Sequence, residues 1–97
     1  MISTGLRLNS AILLLVAAIG ASCPYCGEPM DTPDRAPSRD HIKPAHHGGN
    51  LEDPANRVVV CRRCNQDKGS RSLRRFHKWL ARTGDPRARH VEAFMQG

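Results

Sequence analysis

Four cysteines in two CxxC pairs, Cys23/Cys26 and Cys61/Cys64, carry the strongest chemical signal in this 97-residue chain. A CxxC sets two thiolates on one tight turn, which suits two corners of a tetrahedron around Zn2+. Two such turns 34 residues apart make a closed four-cysteine structural site, and Gly27 after the first pair suits the turn. Two disulfides would be the reading for a secreted chain. A redox-active pair would sit in a βαβ pattern, which surrounds neither CxxC.

Three further residues could do chemistry. Asp40 and His41 are adjacent, and Asn65 directly follows the last cysteine. A carboxylate and an amide oxygen are hard ligands, suited to Mg2+ or a similar ion that keeps water and phosphate in its open positions. A neutral imidazole beside such an ion can take the proton of an attacking water. The ion would hold the scissile phosphate and neutralise charge on the leaving oxygen. Geometry objects, because neighbours on a regular strand point to opposite faces. A bulge or a strand end just before Pro44 is therefore needed. Taken alone, the pair also reads as a hydrogen-bonded surface Asp-His with no catalytic role.

The elements that must position these groups follow from patterning. Residues 30–38, with two prolines and several turn formers, read as a loop. Residues 39–44 are a short extended stretch that Pro44 ends. His46 and His47 read as exposed residues of the connection, followed by the Gly48-Gly49-Asn50 turn and a polar loop over 51–55. Arg57-Val58-Val59-Val60-Cys61 is the clearest strand, and the two extended pieces suggest an antiparallel hairpin. Over 70–83, Leu73, Phe76, Trp79 and Leu80 fall on one helical stripe with arginines opposite. Gly84 ends that helix, and Asp85-Pro86 opens another that runs to about residue 95. His77 and His90 lie on these helices with no partner indicated by spacing.

The apolar run at 11–19 predicts a buried helix over 9–19, capped by Asn9 or Ser10 and stopped by Gly20. A secretory leader is the competing reading. It is disfavoured: Arg7 is the sole charged side chain ahead of the run, and Gly20 stands where a lipoprotein signal wants a large aliphatic residue. Nine apolar residues are also far short of the ~20 that span a bilayer. A cytoplasmic, bacterial or phage-encoded protein with no membrane association is expected.

Composition narrows the function classes. So short a chain buries roughly 60–65% of its unfolded surface, too little for a deep enclosed substrate pocket. Four aromatic residues, Tyr25, Phe76, Trp79 and Phe94, are few for a platform that stacks single-stranded bases. The net charge of +6 favours a polyanionic partner. It is concentrated in residues 57–97, with eleven basic and three acidic side chains, against four and six before them. Arg62, Arg63, Arg71, Arg74, Arg75 and Lys78 could track phosphates without reading sequence, while Arg39 and Arg57 flank the candidate site.

With CPYCG at 23–27, DHIKP at 40–44, Gly48-Gly49-Asn50, Asn56 before the valine strand and CRRCNQDKG at 61–69, the chain resembles the HNH endonucleases. The likeness is to their ββα-metal (His-Me finger) class, in the type stapled by a four-cysteine zinc, and covers about half the chain. It implies an α+β fold: a small β-hairpin plus helices stapled by structural zinc, with flanking N- and C-terminal helices. Together with the helices read from patterning on either side, it divides the chain into three parts: an N-terminal apolar helix packed on the core (1–22), the nuclease core (23–69) and basic C-terminal helices (70–97). By the same resemblance, His41 is the general base, and Asp40 and Asn65 hold a catalytic Mg2+ or Mn2+. Asn56 pins the loop between the strands, and Lys68 contacts phosphate. Asn65 stands where the family name has its last His, and an amide oxygen favours a harder ion than Zn2+. The implied partner is DNA, bound with little sequence preference by a monomer or weak dimer. The rival class is a non-catalytic zinc-stabilised DNA-binding module in which Asp40 and His41 are structural.

Overall fold

Two five-residue strands carry the centre of the molecule. In the computed structural model, which describes residues 9–97, β1 (Pro37–His41) pairs antiparallel with β2 (Arg57–Cys61). Pro37 lies opposite Cys61, Asp40 opposite Val58, and His41 opposite Arg57. The β-branched run Val58-Val59-Val60 suits a pleated, half-buried surface. The strand begins two residues earlier than the expected extended stretch, and the preceding loop holds one 3-10 turn at Pro33–Arg35. The register explains the difference: Pro37, at the first position of β1, opposes the last residue of β2.

The connection between the strands folds back on itself. A Cβ at Gly49 would lie 1.8 Å from the Lys43 carbonyl oxygen, so a residue with a side chain cannot occupy this position without moving the loop. The chain then turns directly from β2 into α2 (Arg62–Lys68), where the Cys61 sulfur caps the helix by accepting from the Cys64 N–H. Helix α3 (Leu73–Arg82) starts at Ser72, whose hydroxyl accepts from Arg75 N–H at 3.3 Å. It buries Leu73, Phe76 and Leu80 on the expected stripe and leaves Trp79 half-buried. Helix α4 (Arg87–Gln96) follows, with the Asp85 carboxylate accepting from Arg87 N–H at 2.9 Å. These elements enclose Tyr25, Val60, Phe76, Leu80 and Val91, all inaccessible to solvent. The result is an α+β fold with the sheet and α2 at its centre.

The N-terminal segment departs from expectation. Helix α1 (Ser10–Ala17) forms, and Asn9 caps it by accepting from Ile12 N–H at 2.9 Å. It is not a buried helix: none of its residues is buried, and Leu14 is 61% exposed, as is Ile19 just past its end. The reason lies in its composition, since the helix is apolar on every face and only one side can meet β1. Only Ala18, just past its end, packs against the core. The part of the expected leader-like segment before Asn9, Arg7 included, lies outside the described residues. Among the described residues no helix is long and apolar enough to cross a membrane.

Candidate functional site

The four cysteine sulfurs all lie within 4.8 Å of one another, and no disulfide joins them. Cys26 and Cys61 sulfurs are 3.8 Å apart. Tetrahedral zinc with bonds of about 2.3 Å sets its sulfurs about 3.8 Å apart, so the donor set fits that ion. Each knuckle is held by backbone geometry. Gly27 takes a left-handed conformation (φ 79°), and its N–H donates to the Cys23 carbonyl at 2.7 Å. The N–H groups of Tyr25 and Cys61 donate to the Cys23 sulfur at 3.3 and 3.2 Å.

Electrostatics prepare the cluster unevenly. Hydrogen bonding from the Cys64 thiol, aided by the Cys61 and Tyr25 amides, pulls Cys23 down to about 5. The same Cys23 interaction, with burial behind it, drives Cys64 upward, and burial pushes Cys26 up to about 11. Two guanidinium groups stand over the sulfurs: Arg35 donates to Cys26 at 3.3 Å, and Arg87 to Cys64 at 3.6 Å. Neither arginine has a local sequence signal, because both reach the cluster through tertiary packing.

A second centre draws on the same helix, α2, next to the thiol cluster. Asp40, His41 and Asn65 line one hollow of about 280 Å³, together with Arg39 and Lys68. The geometric objection to the adjacent Asp-His pair is met at a strand end, since His41 is the last residue of β1. Asn65 is oriented from β1: its amide NH2 donates to Ser38 Oγ at 2.7 Å and to the Arg39 carbonyl at 2.8 Å. A carbonyl only accepts, so the Asn65 oxygen must face the other way. Among the described residues no donor reaches it.

Asp40 is more enclosed than a surface pair would be, at 6% exposure. Tyr25 Oη donates to its Oδ2 at 2.7 Å, and Lys68 Nζ donates to its Oδ1 at 3.1 Å. Lys68 also donates to the His41 carbonyl at 2.8 Å. The expectation that Lys68 contacts phosphate is therefore corrected. Lys68 is 1% exposed, and a buried carboxylate needs this cation as its partner. Tyr25 was not expected in the site at all. Beside Asp40, burial first and then the carboxylate's charge push its phenol far up, so it remains a donor.

Asn56 binds the connection between the strands at three points. Its Oδ1 accepts from Lys43 N–H at 2.8 Å, and its Nδ2 donates to the carbonyls of Lys43 at 2.9 Å and Asn50 at 3.1 Å. His46 and His47 are exposed, with ring centroids 4.2 Å apart.

The basic residues divide into two groups. Arg57 is exposed but already engaged, donating to the Leu51 carbonyl at 3.1 Å and pairing with Glu52 at 3.5 Å. Arg63 pairs with Asp34 at 3.4 Å across the surface. Arg71 donates to the Asp67 carbonyl at 3.0 Å and lies 4.8 Å over the Trp79 ring. Arg39, Arg62, Arg74 and Arg75 are exposed, and their side chains make no ion pair among the described residues.

The family model described as HNH endonuclease matches residues 23–71. The chain is also similar to the CRISPR-associated endonuclease Cas9 of Corynebacterium diphtheriae, with 42% identity over 48 residues. That stretch is 50% of this chain and 4% of the relative, so the chain spans a small fraction of that protein's length. No solved structure matches.

Proposed function

Since the chain belongs to the HNH endonuclease family, we propose that it hydrolyses phosphodiester bonds of DNA in a reaction that requires a divalent cation. The observation that carries this reading is the meeting of Asp40, His41 and Asn65 in one hollow, although 23 residues lie between His41 and Asn65. Asp40 and the outward oxygen of Asn65 are the oxygen donors available to Mg2+ or Mn2+ there, with remaining positions left to water and phosphate. When bound, such an ion supplies charge for the developing oxyanion. His41 accepts the proton of the attacking water. Asn56 holds the loop that begins two residues after His41, which limits how far the imidazole can wander. Arg39, at the rim of the same hollow, is placed to meet the phosphate. Arg62, Arg74 and Arg75 extend the positive surface along the duplex. Their contacts would be to the backbone, so cutting has little sequence preference and falls steeply with salt.

The test is plasmid nicking in Mg2+, Mn2+ or EDTA. Wild type is expected to nick with a divalent ion and not in EDTA, and His41→Ala to lose about 10²–10⁴ in rate. No nicking under any divalent ion would remove the enzyme reading, and undiminished nicking by His41→Ala would remove the assigned base.

One observation favours a second reading. Both Asp40 oxygens already have protein donors, an arrangement that also serves a zinc-stabilised DNA-binding module without catalysis. That module would bind DNA in a salt-dependent way and nick nothing under any divalent ion.

A further inference from the structure

The two donors to Asp40 belong to the two halves of the thiol cluster. Tyr25 lies between Cys23 and Cys26, and its own N–H donates to the Cys23 sulfur. Lys68 lies on α2, one helical turn after Cys64. The Tyr25 ring is inaccessible to solvent and packs against Phe76 and Phe94, with centroids at 6.0 and 5.8 Å. Its hydroxyl cannot swing away without disturbing that packing. The Asp40 carboxylate is thus gripped at one oxygen from within the first knuckle and at the other from the end of the helix that carries Cys64.

From this we infer that Tyr25 is a positioning residue through which the first cysteine knuckle sets the orientation of the Asp40 carboxylate. The inference rests on the reading of Asp40 as a ligand of the divalent cation. Each carboxylate oxygen accepts one protein hydrogen bond and keeps a further lone pair. While Tyr25 holds Oδ2 and Lys68 holds Oδ1, the plane of the group is fixed against the hollow. Without the Tyr25 hydroxyl, Oδ2 has no protein donor. The carboxylate is then free to turn both oxygens toward the Lys68 ammonium and away from the hollow.

Tyr25→Phe isolates this effect, because it removes one hydroxyl and keeps the ring in its aromatic packing. Mn2+ binding is read directly by electron paramagnetic resonance on the zinc-loaded protein, with Asp40→Asn as the reference for loss of the ligand. Tyr25→Phe is expected to keep the zinc content of wild type and to weaken Mn2+ binding by about tenfold or more, as befits a lost hydrogen bond to a charged group. In nicking assays, the Mn2+ concentration for half-maximal rate should rise by a similar factor. The rate at saturating Mn2+ should largely recover. A merely structural role would lower the rate at every Mn2+ concentration instead.

Unchanged Mn2+ binding in Tyr25→Phe would overturn the inference, and so would loss of zinc, which would put Tyr25 in the metal cluster's own stability. Mn2+ binding unaffected by Asp40→Asn would overturn it as well. A wild type that binds Mn2+ yet nicks nothing would sink the nuclease reading alone, and the binding comparison would still decide the role of Tyr25.

Discussion

Asn56 shows how much one amide can organise. It accepts one hydrogen bond and donates two, all to the backbone of the connection between β1 and β2. That connection has few apolar anchors: residues 45–48 and 50–55 are exposed, Leu51 among them. Truncation to Ala removes all three bonds at a partly wet site, where each contributes about 0.5–1.5 kcal/mol. Asn56→Ala is therefore expected to lower stability by about 1.5–4.5 kcal/mol. Asn56→Asp tests the chemistry more sharply. A carboxylate can still accept from Lys43 N–H, but it cannot donate, and it sets its charge against the carbonyls of Lys43 and Asn50. At neutral pH it should be destabilised at least as much as the Ala variant, with faster amide exchange at Lys43. An aspartate variant as stable as wild type would mean the two donated bonds contribute nothing.

Among the elements, α4 is tied to the thiol cluster by one side chain. Arg87 grips Asp85 through two nitrogens, at 3.1 and 2.8 Å, and reaches Asp67 on α2 at 2.8 Å. It also donates to Cys64 and lies 5.7 Å over the Phe76 ring. Its side chain is 17% exposed, so these bonds are largely shielded and exceed the value of an ordinary surface pair. Arg87→Ala is expected to cost about 2–3 kcal/mol and to free α4 first, seen as early loss of amide protection over 87–96. Arg87→Lys should restore little, because a point charge cannot span both carboxylates and the thiol. Equal protection of α4 in wild type and Arg87→Ala would show that Val91 and Phe94 hold the helix without it.

The same element scale separates what the sequence reveals from what it conceals. The valine strand, the stripe on α3 and the Asp85 turn are local patterns, and each forms where period and capping chemistry place it. The cysteine spacing also carries its own geometry. Arg87, Arg35 and the Tyr25–Asp40–Lys68 contact join residues 9 to 28 positions apart, and no periodicity reports such pairs. Lys68 was legible as a cation but not as a buried one, because burial depends on which face of α2 meets β1. The apolar run of α1 was legible as a helix, yet a run with no polar face does not say how much of itself will be covered.

On the scale of the whole molecule, the core is small enough that a zinc ion in the thiol cluster would decide whether it stands. Among the described residues, ten apolar side chains are buried, and Cys23, Cys61 and Cys64 are three of them. Small structural zinc sites carry an apparent binding free energy of about 10–16 kcal/mol, as large as the ~5–15 kcal/mol of a typical domain's net stability. Removal of zinc by a strong chelator is therefore expected to abolish cooperative thermal unfolding. The pH dependence has a definite sign. In a metal-free chain that has lost its fold, the four thiols return to their ordinary range near about 8.5 and are largely protonated at neutral pH. Zinc coordination needs thiolates, so uptake at neutral pH releases up to about four protons. Apparent zinc affinity should thus rise with pH, by up to about ten-thousandfold per unit for four protons. Competition with a chelator of known affinity at pH 6, 7 and 8 measures that slope. A flat slope would mean the thiols are already ionised in the metal-free protein, with Arg35 and Arg87 neutralising them. An intact melting transition in chelator would mean that β2, α3 and α4 pack well enough to fold without the ion.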